Sequence, residues 1–312
     1  MFPVEAPSTR HLAQRASERI DAPISGSRTR SWRYPTVNDD ANAPKIILVH
    51  GFRGTHHGLL PLVAELPNVE FLAPDLPGFG ESTPLEGEHN LHAYSRWLGR
   101  YLERVDPKGQ AILLGHSFGS LVIARNPSVC GSRRIVLVNP IASPALEGPD
   151  RFATQLAIAY YRLGAWLPAS LGQRLMASRL ITRVMSEVMA TTHHSGLRRW
   201  IHEEHDRHFS DFFDRTTLLD AFRASVSDSV TAHAHKFPVG TVLVAGERDQ
   251  IAPVAAQRVL VERMPGSSLY VIAGVGHLIH YETPRALARV LRETLDIPGE
   301  RLTPSERGVA TR

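Results

Sequence analysis

Six short apolar runs punctuate the chain: KIILVHG (45–51), VEFLAPD (69–75), AILLGHS (111–117), RIVLVNP (134–140), GTVLVAGERD (240–249) and SSLYVIAG (267–274). Gly, Pro or Asp bounds each run, and none alternates apolar with polar positions. Strands buried on both faces have this pattern, as in the interior of a parallel sheet. Between the runs, residues 57–66, 91–105, 253–264 and 284–295 carry apolar side chains at three- and four-residue spacing. In the last of these, Leu287, Val290, Leu291 and Leu295 share one helical face. The alternation predicts an α/β fold, with a mostly parallel central sheet, flanking helices and right-handed crossovers.

The rhythm breaks between residues 143 and 234, where only helical spacing is found. Phe152, Leu156, Ala159, Tyr160 and Leu163 form one stripe, and Ile181, Val184, Met185 and Val188 form another. Phe209, Phe212 and Phe213 begin a third. A long helical stretch between two strands of one sheet predicts an inserted helical cap over 143–234. The sheet-forming core is then 29–142 and 235–298. Residues 1–28 are polar and are expected to be a mobile arm or a short helix, with 299–312 a C-terminal tail. Residues 27–37 alternate weakly and suit an edge strand, and 38–44 are turn-like.

Composition narrows the function. The 312 residues are 43% hydrophobic, enough for one large core with an insertion. The formal charge is +4, but the only lysines are Lys45, Lys108 and Lys236, and the arginines are scattered. No basic stripe with interleaved aromatics is present, so nucleic acid is not an expected partner. Cys130 is the only cysteine, which excludes an intramolecular disulfide and CxxC redox chemistry. No run of eighteen apolar residues exists, so no membrane span is expected, although transient contact with a lipid surface stays open. The first twenty residues lack an apolar stretch behind a basic head, and a cytoplasmic location is expected. Oligomeric state cannot be read from these features.

Chemistry concentrates where the predicted strands end, the usual place for functional groups in an α/β sheet. There stand His50-Gly51-Phe52-Arg53-Gly54, Asp75 in DLPGFGES, Gly115-His116-Ser117-Phe118-Gly119, Asn139, Asp249 and His277. Ser117 fits the G-x-S-x-G elbow, in which a strand reverses sharply into a helix and presents a hydroxyl. Side chains at Gly115 and Gly119 would collide with such a turn. A serine hydroxyl needs a base, and the base needs an orienting acid. Asp249 after the next-to-last strand and His277 after the last complete the order Ser, Asp, His.

With His50-Gly51-Phe52, DLPGFGES, GHSFGS, GERDQIAP and GVGHLIHYETP in this order, the chain resembles the α/β-hydrolase superfamily across residues 45–297. The resemblance implies a capped serine hydrolase, with the cap between the sixth and seventh core strands. It implies Ser117 as nucleophile, His277 as general base and then acid, and Asp249 as the partner fixing the imidazole tautomer. The backbone amides of Phe52 and Phe118 would form the oxyanion hole. Some family members carry the acid after the sixth strand, but Asn139 stands there. The helix after Ser117 is short, with Asn126-Pro127 expected to end it. The implied activity is cleavage of a carboxylic ester through an acyl-enzyme, on a small-molecule substrate and without a cofactor. Cleavage of carbon–carbon bonds in ring-fission dienoates and acyl transfer are the alternative activities. Another class, a ligand receptor without turnover, would call for a degraded triad.

Other residues invite competing readings. Arg53, Phe212 and Phe213 are the candidate pocket residues, and a dienoate carboxylate would need Arg53, Arg198 or Arg199. An apolar pocket under the cap would make medium-chain esters better substrates than acetate. His280 competes with His277 but is expected to be packed or at the surface. His50 and His116 are expected to satisfy backbone groups, and Asp75, Gly78 and Gly80 to shape a turn. His202, His205 and His208 in HEEHDRH suggest a metal, but a zinc helix needs H-E-x-x-H, and position 206 is Asp. A solvated polar helix face is expected there, with no metal.

Overall fold

A computed structural model describes residues 15–38, 40–125, 131–144 and 151–297, with side chains in the last stretch from 155 onward. Asn126-Pro127, Cys130, the side chain of Phe152, residues 1–14 and the expected tail at 299–312 lie outside what is described. Eight strands form one sheet: β1 (Glu18–Ile24), β2 (Ser27–Tyr34), β3 (Lys45–Val49), β4 (Glu70–Pro74), β5 (Ile112–His116), β6 (Ile135–Val138), β7 (Val242–Gly246) and β8 (Ser268–Ile272). Their spatial order is β1-β2-β4-β3-β5-β6-β7-β8. β1 pairs with β2, and β2 with β4, antiparallel; every later pairing is parallel.

The unbroken apolar runs are explained by two cores. Ile47 and Val49 of β3, Leu113 of β5 and Leu137 of β6 face one hydrophobic cluster. Their neighbours Ile46, Leu48, Leu114, Val136 and Val138 face the other. Helices α1 (Leu60–Glu65), α2 (Leu91–Val105) and α3 (Phe118–Arg125) flank the first strands. Between β6 and β7 come α4 (Arg151–Trp166), α5 (Ala169–Met176), α6 (Arg179–Met189), α7 (Ser195–His208) and α8 (Arg215–Val226). Helices α9 (Val254–Glu262), α10 (Ile279–Glu282) and α11 (Pro284–Leu295) complete the core. Leu287, Val290, Leu291 and Leu295 of α11 are buried together, as their spacing predicts.

Several expectations need correction. Residues 18–24 are not part of an arm but the edge strand β1, which moves β2 one place inward. Only Ile20, Ala22 and Ile24 of β1 turn inward, so its apolar signal is diluted by Glu18, Asp21 and Pro23. An edge position also tolerates Pro23, which has no N–H to donate. In α4, Leu156 and Leu163 face outward, and the inward residue is Tyr161, stacked on Phe222 at 3.8 Å. In α6, Val184 and Val188 are exposed, while Thr182 and Ser186 are buried. Helical spacing identifies a stripe but cannot say which side its neighbours cover. Here α6 turns a polar side inward because α7 supplies hydrogen-bond partners for it.

Candidate active site

The strand order reverses direction between β3 and β5, and the loops leaving these two strands meet at their carboxyl ends. Ser117 closes β5 with φ +50°, a left-handed conformation unfavourable for a residue with a Cβ. Its glycine neighbours are dictated by space. A Cβ on Gly119 would lie 2.2 Å from the Val49 carbonyl oxygen, and one on Gly115 would lie 2.5 Å from Ile123 Cδ1. Gly51 passes close to the serine, since a Cβ there would sit 3.3 Å from Ser117 Cβ. That glycine brings the Phe52 segment beside Ser117, while Phe118 opens α3 immediately after it.

Ser117 Oγ lies 2.8 Å from His277 Nε2, and His277 Nδ1 lies 2.8 Å from Asp249 Oδ2. All three residues are buried, with Ser117 retaining 9% exposure. The second oxygen of Asp249 accepts the amides of Ile251 at 2.8 Å and Ala252 at 2.9 Å. Burial pushes the Asp249 carboxyl upward, but His277 and these two amides outweigh it and hold it below its ordinary value. A lasting anion beside Nδ1 places the imidazole proton there and leaves Nε2 to accept from the Ser117 hydroxyl.

Asn139, which no sequence pattern marks as a positioning group, and His116, expected to satisfy a backbone group, clamp this histidine. Asn139 Nδ2 donates to the His277 carbonyl at 2.8 Å, and Asn139 Oδ1 accepts the Gly246 amide at 2.8 Å. His116 Nε2 reaches the same carbonyl at 3.2 Å. Thr191, from the inserted segment, accepts the Gly276 amide and binds Glu282 at 2.8 Å. His50 Nε2 accepts the Leu76 amide, and its Nδ1 meets the Gly51 carbonyl, both at 2.8 Å. Asp75 is fully buried and accepts from the His56 and Glu81 amides. His280 is buried against His116 and Tyr281, away from Ser117's hydrogen bonds.

A cavity of about 370 Å³ opens over Ser117 and His277. Apolar lining comes from Leu59, Ile141, Met185, Met189 and Val226, among others. The candidate pocket residues fare differently. Arg53 borders the cavity, but its guanidinium is committed to the carbonyls of Phe209 at 3.0 Å and Met176 at 2.9 Å. It also lies over the Phe209 and Phe212 rings. Phe212 is buried in the core and paired with Phe79, and Phe213 is 60% exposed; neither lines the cavity. Phe209 takes that place instead. Nor is the HEEHDRH face solvated: His202 and His205 are buried, and both bind Ser186. Among the described residues, no three His, Cys, Asp or Glu side chains are grouped to hold a metal ion. No helix among them is long and apolar enough to cross a membrane.

A sequence model of the alpha/beta hydrolase family matches residues 46–290. The chain is 27% identical over 273 residues to the pyrethroid hydrolase of Sphingobium wenxiniae, covering 82% of this chain and 89% of that protein. It is 25% identical over 236 residues to the 2-hydroxymuconate semialdehyde hydrolase of Pseudomonas putida, covering 72% and 76%. The esterase EaEST from Exiguobacterium antarcticum shares the fold with a TM-score of 0.71 at 16% identity, over 90% of this chain and all of that one.

Proposed function

Because this chain belongs to the alpha/beta hydrolase family, a hydrolase acting on small molecules, we propose that it cleaves carboxylic esters through an acyl-enzyme on Ser117. Ser117 Oγ attacks the ester carbonyl carbon while His277 Nε2 takes its proton. The carbonyl oxygen becomes an oxyanion, held by the amides of Phe52 and Phe118. Losing one such donor costs about 3 kcal/mol of transition-state stabilisation. The C–O bond then breaks, and the alcohol leaves with the proton from His277. Water enters by the mirror sequence: His277 removes its proton, hydroxide adds to the acyl carbon, and Ser117 departs as the alcohol. Asp249 holds the imidazole throughout and stabilises its cationic form.

The single observation carrying the ester reading is the commitment of Arg53. A dienoate substrate of a carbon–carbon bond hydrolase brings a carboxylate, which calls for a cation able to reach it. Arg53 spends its guanidinium on backbone carbonyls, and Arg198 is held by Glu187 and the Ala190 carbonyl. The cavity beside Ser117 is instead largely apolar. Within it each buried methylene contributes about 0.8 kcal/mol, or about fourfold in kcat/KM. We take the helices between β6 and β7 as a cap whose inner side forms this roof. p-Nitrophenyl esters from C2 to C12, run beside a ring-fission dienoate, test the reading. Rising kcat/KM up to medium chains is expected, with negligible turnover of the dienoate; turnover of the dienoate alone would reverse the assignment.

A further inference from the structure

The roof of the cavity holds a second hydrogen-bonded chain that the mechanism above does not use. Ser186 and Glu187 are neighbours on α6, and His202, Glu204, His205 and His208 follow on α7. Ser186 is fully buried, and its Oγ lies 2.6 Å from His202 Nδ1 and 2.7 Å from His205 Nδ1. On its other side, His202 Nε2 lies 3.0 Å from Glu187 Oε1, close but off the axis of a well-aligned hydrogen bond. Glu204, His205 and His208 all border the cavity that contains Ser117.

One arrangement of protons satisfies this chain. The bond from Arg198 holds the Glu187 carboxyl below its ordinary value, so it is an anion that can only accept. Burial lowers both His202 and His205, which are therefore neutral and carry one N–H each. A bare Nε2 on His202 would face the carboxylate at 3.0 Å lone pair to lone pair. Its proton therefore sits on Nε2, and its Nδ1 accepts from the Ser186 hydroxyl. The serine oxygen can then only accept from His205, which fixes the His205 proton on Nδ1. His205 Nε2 is left with a lone pair on a ring that borders the cavity. His208, one turn on, borders the same cavity, and its Nδ1 lies 3.3 Å from Asp211 Oδ2. Glu204, between them, adds a carboxylate already neutralised by Arg207 at 2.7 Å. This turn of α7 thus offers the cavity hydrogen-bond acceptors.

We propose that His205 Nε2 recognises the substrate by accepting a hydrogen bond from a neutral hydroxyl, so that hydroxyl-bearing esters are the preferred class. The proposal rests on the ester-hydrolase reading. Ser186, His202 and Glu187 act as positioning residues that set the tautomer of His205.

Two matched ester pairs test it: ethyl 3-hydroxybutyrate against ethyl butyrate, and glyceryl monobutyrate against propyl butyrate. The first pair places the hydroxyl on the acyl side and the second on the alcohol side. In at least one pair the hydroxylated ester should exceed its partner in kcat/KM by about tenfold, mostly through KM. His205→Phe should bring that ratio to about one, and His205→Gln, which restores an acceptor, should recover part of it. Imidazole ¹⁵N NMR of the unmodified protein should find His205 as the Nδ1–H tautomer. Equal rates within both pairs, a ratio untouched by His205→Phe, or an Nε2–H tautomer at His205 would overturn the proposal. Failure to hydrolyse any of the four esters would sink the ester reading instead, and the tautomer measurement would still decide the proton arrangement at His205.

Discussion

Two serines in this molecule meet a histidine at nearly the same distance, but their surroundings differ. Ser117 lies 2.8 Å from His277, and Ser186 lies 2.6 Å from His202, each histidine having a carboxylate on its far side. The backbone differs first. Ser117 stands at φ +50° on a turn that presents its hydroxyl to the cavity, whereas Ser186 lies inside a helix with no exposure. The acids differ next. Asp249 is buried and anchored by two amides, whereas the Glu187 side chain is 47% exposed and shared with Arg198. The wiring is also reversed: Ser117 faces Nε2 of His277, but Ser186 faces Nδ1 of His202. A serine–histidine contact is thus common chemistry; access, strain and a desolvated acid make it a candidate nucleophile.

The largest expected effect comes from Ser117→Ala or His277→Ala, each lowering kcat by on the order of 10⁴-fold or more in a folded protein. Steady-state rates with circular dichroism as a folding control would check this. Asp249→Asn should cost somewhat less, about 10³- to 10⁴-fold, because the imidazole loses the partner that fixes its tautomer. Ser186→Ala should cost no more than about tenfold on the same ester. A loss matching that of Ser117→Ala would mean that the two serines had been ranked wrongly.

Acid exposes a further difference. Burial lowers His116 and His205 to about 3, whereas the unfolded chain returns them to about 6.5. Between these values the unfolded state binds protons that the folded state refuses, so stability falls as pH drops below about 6.5. The slope approaches ~1.4 kcal/mol per pH unit for each histidine. Urea midpoints from pH 7.5 down to 4.5 should decline, and His205→Gln should flatten the decline; pH-independent midpoints would contradict the assignment. The smallest effect is expected at Phe213→Asp, which should leave the chain-length profile unchanged because that ring faces solvent.

The parts of this account that were legible in the sequence share a physical reason. Ser117, Asp249 and His277 each follow a strand whose apolar run is unmistakable, so their order along the chain also locates them at one rim. The two glycines around Ser117 were legible because the elbow leaves no room for a Cβ. The inserted helices were harder. Phe209, Phe212 and Phe213 share a short stretch, yet they point respectively to the cavity, the core and solvent. His202 and His205 look like a solvated face because a buried polar cluster has the composition of a surface. β1 was hidden by having only three inward apolar residues. His116 does bind a backbone group as expected, whereas Asn139 carries no motif, since its work is to hold a backbone carbonyl of His277.

Acylation of Ser117 rather than any other serine can be read directly. The protein is mixed with a p-nitrophenyl ester, quenched in acid within one turnover, digested with trypsin and sequenced by mass spectrometry. One acyl group should appear on Ser117, in the peptide spanning residues 109–125, and it should be absent from Ser117→Ala. Acyl label on Ser186, or steady turnover by Ser117→Ala with no acylated peptide, would contradict the account.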